Sequence, residues 1–258
     1  MGHTMSIKKF DKIKTLLRSW LPGTIMTMKD LFKLGLTNSD IQKYLSSDWI
    51  ESVGHDAYKK CGENVEWQGA IYGLGDKVHV GGKSALNLRG MAHYLNMGTP
   101  KIDLFTNHYL PLPQWFQSNN WNADIRYLRT SFLPDIAIEK FDVGNFTIKV
   151  SSPERAAFEL MYCLEKIYSF AECKLIFENL GFLRSDAVQE LLENCTSIKT
   201  NRLVLYFANS LKMGWYEKIH LDKINLGKGY RKFTTGGIYD SAFKIMIPRE
   251  LKDEELRF

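Results

Sequence analysis

The sequence predicts an α+β protein. An N-terminal winged helix-turn-helix is followed by a mixed α+β domain that ends in a helical cluster. Three observations predict it. Two short capped helices precede an alternating hairpin within Thr27–Lys60. Short strand and helix patterns then interleave over 63–150. From Ser152 onward helical periodicity dominates. The expected domains are 1–62 and 63–258, the second dividing into 63–150 and a mostly helical 151–258.

The opening helix is read from Ile7, Phe10, Ile13, Leu17 and Trp20, with Ser6 as its cap and Leu21-Pro22-Gly23 as its stop. Residues 1–5 are set aside as partly vector-derived, with Met5 a reasonable native start. Thr27 and Thr37 each stand where an N-cap hydroxyl accepts from an unpaired helix N–H. Each is followed three residues later by an acid, Asp30 or Asp40, in the pattern of a capping box. Helix 28–34 offers Leu31, Phe32 and Leu34 to a core, and Gly35 ends it. Helix 38–47 turns Ile41, Tyr44 and Leu45 inward. Its outer face carries Asn38, Ser39, Gln42, Lys43 and Ser46. Trp49 to Val53 alternates, Gly54-His55-Asp56 turns, and Ala57-Tyr58-Lys59-Lys60 returns.

That order fits a module that lays a helix in the major groove of DNA. Gln and Asn pair with adenine edges, and Lys pairs with guanine or phosphate. The expected DNA-contacting set is Thr37, Asn38, Ser39, Gln42, Lys43 and Ser46, with His55, Tyr58, Lys59 and Lys60 from the hairpin. A solvated helix face is the plain alternative for any one helix; the hairpin behind it favours DNA.

Further along, 65–75 reads as a short helix, Lys77–Val80 as a strand and Lys83–Gly90 as a helix. Lys101–Phe105 and Asp124–Leu128 read as strands, with a short helix beginning near Leu112–Phe116. Phe141–Val150 reads as a hairpin turning at Gly144-Asn145. Ser152-Pro153 is a helix start with proline at the first position. Helices are expected over 153–165, 169–180, 185–195 and 198–213, joined closely enough for a small bundle. The tail from Lys228 to Ile247 reads as short strands and turns.

Composition bounds the function. Of 258 residues, 45% are hydrophobic and 24% charged, as in a globular protein. No apolar run is long enough to span a membrane and no signal peptide opens the chain. The four cysteines form no C-x-x-C pair and no zinc spacing with histidine. The expected setting is cytoplasmic, with reduced thiols, no membrane and no cofactor or metal. Net charge is +5. Residues 1–62 hold ten Lys+Arg against six Asp+Glu, so most of the excess lies where DNA would bind.

No catalytic constellation emerges. Gly82-Lys83-Ser84 lacks the earlier glycine of a phosphate-binding loop, because that position is Lys77. Pro134-Asp135 with Glu172 and Lys174 imitates a nuclease pattern, but the last two fall on a predicted helix. Trp115, Trp121 and Trp215 are expected in the core. Lys83, Arg89 and His93, together with Lys228, Arg231 and Lys232 on an expected loop, form a second basic surface in this reading.

Several motifs share an order with a known family. They are Leu21-Pro22-Gly23-Thr24, Trp49-Ile50-Glu51, Gly54-x-x-Ala57-Tyr58 and Val65-x-Trp67-Gln68-Gly69-Ala70. Val78-His79-Val80-Gly81-Gly82-Lys83-x-Ala85-Leu86 and Gly90-x-Ala92-His93-Tyr94-Leu95 follow. Over about 20–245 the chain resembles the AbiEi antitoxins of type IV toxin–antitoxin and abortive-infection operons. The resemblance implies a winged-helix repressor that binds inverted repeats upstream of its own operon. It also implies a second domain that antagonises a nucleotidyltransferase-like toxin without a stable complex. At the hairpin tip this chain departs from the family's Gly-basic-Gly, since His55 is a weak cation near neutral pH. The alternative reading is a nucleic-acid-processing enzyme with a winged-helix targeting module. A scaffold whose winged helix binds protein is the third.

Overall fold

The computed structural model describes residues 12–92, 98–229, 231–232 and 237–248, the pair 231–232 by backbone alone. The chain is α+β. Helix α1 runs over 12–19, followed by β1 (Met26–Thr27), α2 (Met28–Lys33), α3 (Asn38–Ser46), β2 (Ile50–Gly54) and β3 (Ala57–Lys60). The three strands pair in the order β1-β3-β2, all antiparallel.

Both predicted caps form. Thr27 and Thr37 each accept from the backbone of the third helical residue, and Asp30 and Asp40 return a bond to the cap N–H. Gly35, at φ +79, supplies the left-handed residue that ends α2. Leu16, Trp20, Leu31, Leu36, Ile41, Tyr44, Ile50 and Tyr58 make a small core of their own. One expectation fails here. Phe32 points away from that core and is 45% exposed.

A five-stranded sheet follows, built from β4 (His79–Val80), β5 (Lys101–Thr106), β6 (Asp124–Arg129), β7 (Ile138–Asp142) and β8 (Thr147–Ser151). Its order is β6-β5-β4-β8-β7. β4 to β5 and β7 to β8 are antiparallel, whereas β5–β6 and β4–β8 run parallel. Helices α4 (Trp67–Leu74), α5 (Gly82–Leu88) and α6 (Gln114–Gln117) are inserted along it. The helical part holds α7 (Pro153–Tyr162), α8 (Phe170–Glu178), α9 (Ser185–Asn194) and α10 (Ile198–Ser210). α7 is buried on nearly every side, packing against α5, β8 and the other three helices of this group.

The tail forms β9 (Arg231–Lys232), β10 (Ile238–Asp240) and β11 (Ile245–Ile247), ordered β10-β11-β9. Arg231 and Lys232 therefore lie in a strand, not on the expected loop, because their backbone pairs with Ile245 and Met246. Buried Arg202 of α10 ties this tail down. Its guanidinium donates to the carbonyls of Leu226 (2.7 Å), Gly229 (2.6 Å) and Lys244 (3.1 Å).

Candidate nucleic-acid interface

The outer face of α3 is exposed along its length. Asn38, Ser39, Gln42, Lys43 and Ser46 all reach solvent, while Ile41 and Tyr44 are buried beneath them. The helix is held at its N-terminus by its cap and by an ion pair from α1, Lys12 Nζ to Asp40 Oδ2 at 3.1 Å. The backbone N–H of Thr37 and the ammonium of Lys12 hold the Asp40 carboxyl below its ordinary range, against the effect of burial. A fixed helix with a polar face meets the first demand of base readout, which is preorganised side chains.

The remaining expected contacts do not all suit that role. Thr37 Oγ1 donates to Asp40 Oδ2 at 2.9 Å and accepts from its N–H, so the hydroxyl serves the cap. Tyr58 is only 5% exposed and belongs to the small core, so it offers no surface to DNA. Burial raises its phenol pKa. Lys59 lies 3.0 Å from Glu51 and donates to the Glu63 carbonyl, and Lys60 lies 3.6 Å from Glu63. These lysines close the base of the hairpin and are largely neutralised there. His55 alone projects from the tip, its side chain 84% exposed and Nδ1 3.3 Å from Asp56.

Of the second basic set, Lys83 and Arg89 are each paired with an acid. Lys83 reaches Glu172 at 2.6 Å. Arg89, at the C-cap of α5, meets Glu139 at 2.7 Å and the Ser151 carbonyl at 3.2 Å. Lys228 is exposed. His93 and the side chains of Arg231 and Lys232 lie outside the described residues. The acids of the nuclease-like trio are engaged by other side chains. Asp135 accepts from Asn107, and Glu172 is occupied by Lys83.

The Gly81-Gly82 turn that resembles a phosphate loop serves a carboxylate of the protein itself. Glu159 of α7 is fully buried and accepts two bonds on each oxygen. His79 Nε2 and Arg155 Nε lie 2.8 Å from Oε1; Gly82 N–H (2.8 Å) and Ser151 Oγ (2.7 Å) reach Oε2. A Cβ on Gly81 would stand 2.2 Å from that carboxylate. Glycine is needed there for close approach, and the site is already filled.

One feature of the interface had no signal in the sequence. The hairpin is clasped by the second domain. Gly54, at φ +147, lies so close to Trp115 of α6 that an added Cβ would be 2.8 Å from its Cβ. Asn119 Nδ2 donates to the Val53 carbonyl at 2.7 Å. Neither Trp115 nor Asn119 is marked by a motif that points to the hairpin, since their hairpin partners lie 61 and 66 positions earlier in the chain.

Two family models match. One, described as a transcriptional regulator and AbiEi antitoxin of a type IV toxin–antitoxin system, covers residues 99–248. The other, described as the N-terminal domain of the AbiEi antitoxin transcriptional regulator, covers 9–97. Among curated proteins none matches. Among solved structures, the RV2827C protein from Mycobacterium tuberculosis superposes with a TM-score of 0.54 at 12% identity, over 86% of this chain and 85% of that one. At that identity the likeness concerns the fold.

Proposed function

The chain belongs to the AbiEi antitoxin family, transcriptional regulators of type IV toxin–antitoxin systems, and on that premise we propose that it represses its own operon by binding inverted repeats upstream. Residues 1–62 act as the winged helix-turn-helix, and α3 enters the major groove. The observation that carries this reading is the α3 face, where five exposed polar residues stand on a doubly anchored helix. Gln42 and Lys43 are the principal readers. Asn38, Ser39 and Ser46 flank them, and His55 approaches the backbone from the hairpin tip. Lys59, Lys60 and Tyr58 drop to a supporting part, for the reasons of pairing and burial given above. Residues 63–258 antagonise a nucleotidyltransferase-like toxin without a stable complex, and neither part is an enzyme.

A mobility-shift titration with the DNA upstream of the gene tests this. Specific binding in the range of ~10⁻⁸–10⁻¹¹ M, weakening steeply with salt, is expected. Gln42→Ala should cost about 1–3 kcal/mol and relax base preference at one position in each repeat. Lys43→Ala should weaken binding and lessen its salt dependence. Equal affinity for a scrambled duplex would sink the proposal.

A further inference from the structure

A cleft runs between the first helix-turn-helix helix and the second domain. Near the hairpin tip it holds about 830 Å³, walled by Met28 and Phe32 of α2 on one side and Pro113 and Trp115 on the other. It continues beneath the connection between α4 and β4, where about 720 Å³ is walled by Leu110, Pro113 and Trp115. Both volumes fall within the usual range for a small-molecule site, and the position between two domains is a common one.

The charges of the cleft are uneven. Two of its acids are each matched by a lysine, and the third faces the His55 imidazole. Asp30 meets Lys33 at 2.9 Å, Asp76 meets Lys149 at 3.3 Å and Asp56 lies 3.3 Å from His55. Lys29 on α2 and Lys77 on the α4–β4 connection line the same cavity. Among the described residues neither has an acid within ion-pair distance, and both are exposed. The apolar walls include side chains that a folded chain ordinarily covers. Phe32 is 45% exposed and Leu110 58%.

We propose that this cleft binds an amphipathic organic anion, with an aromatic or aliphatic body against Phe32, Leu110 and Trp115 and one anionic group between Lys29 and Lys77. A nucleic-acid strand fits less well. Asp30 and Asp56 at the rim would oppose successive phosphates, and the apolar walls would meet none of them. This site does not depend on the DNA-binding reading.

Anilinonaphthalene sulfonate is a suitable probe, having one aromatic body and one anionic group. Titrated into the full-length protein, it should give a saturable, blue-shifted fluorescence rise at one site per chain. The double variant Lys29→Glu/Lys77→Glu should weaken the probe at least tenfold, and Phe32→Ala should also weaken it. Lys218→Glu, an exposed lysine elsewhere, should leave it unchanged. Equal melting temperatures in all variants would show that the effect is local, since the four substituted side chains are solvent-exposed. No saturable rise, or one that the lysine pair does not alter, would overturn the assignment.

Discussion

Glu159 shows how a single residue can fix the meaning of a motif. The turn at Gly81-Gly82 lacks the earlier glycine of a phosphate-binding loop, yet it does hold an anion. The anion is Glu159, brought from 77 residues away to accept the Gly82 N–H. Burial alone would raise its pKa. The charges of His79 and Arg155 and the bonds from His79 and Ser151 outweigh burial and bring it down to about 2. A carboxyl depressed on folding contributes stability above its unfolded pKa, near 4.5, and loses that contribution as pH falls toward 2. Glu159→Gln removes the charge and leaves Arg155 buried without its counterion. A loss of about 3–5 kcal/mol at neutral pH is expected from urea unfolding. The gap to the unsubstituted protein should narrow between pH 4.5 and 2. A variant as stable as the parent at neutral pH would show that the network contributes nothing net.

Among the elements, α3 was the most legible and β2–β3 the least completely so. Caps and periodicity are local, and the sequence reading of α2 and α3 therefore needed no knowledge of the rest of the chain. Thr37 illustrates both the reach and the limit of that reading. Its position predicts both a cap and a DNA contact, yet its hydroxyl is committed to Asp40. Thr37→Ala should destabilise the protein by about 1 kcal/mol, the usual cost of a lost cap. It should lower DNA affinity only through a looser α3 terminus, leaving base preference intact. A changed preference in a binding-site selection would restore Thr37 to the reading set. For the hairpin, alternation identified the strands correctly. It could not reveal that Lys59 and Lys60 are matched by Glu51 and Glu63, because those pairings depend on cross-strand register and on the chain's exit after β3.

At the scale of the whole molecule, two hydrophobic cores meet across one sheet. Ile50 and Tyr58 face the small core of the N-terminal helices, whereas Ala57 and Ile25 join the large core, with Val53 packed against it. Sheet order, the clasp of Gly54 by Trp115 and the position of β4 in mid-sheet are all non-local. They lie beyond periodicity, which is why the expected boundary at residue 62 marks a change of sequence pattern but not a gap in packing. Gly69, where a Cβ would stand 1.8 Å from the Gly23 carbonyl, makes the same point from α4. Neither face of the β1-β3-β2 sheet can lose its cover without exposing apolar side chains, so the two cores should unfold together. Urea denaturation followed by far-ultraviolet circular dichroism and by tryptophan fluorescence should give coincident single transitions, since Trp20 reports on the small core and Trp115 and Trp215 on the large one. Separate transitions would mean that the N-terminal unit is independently stable and that its contact with α6 is incidental.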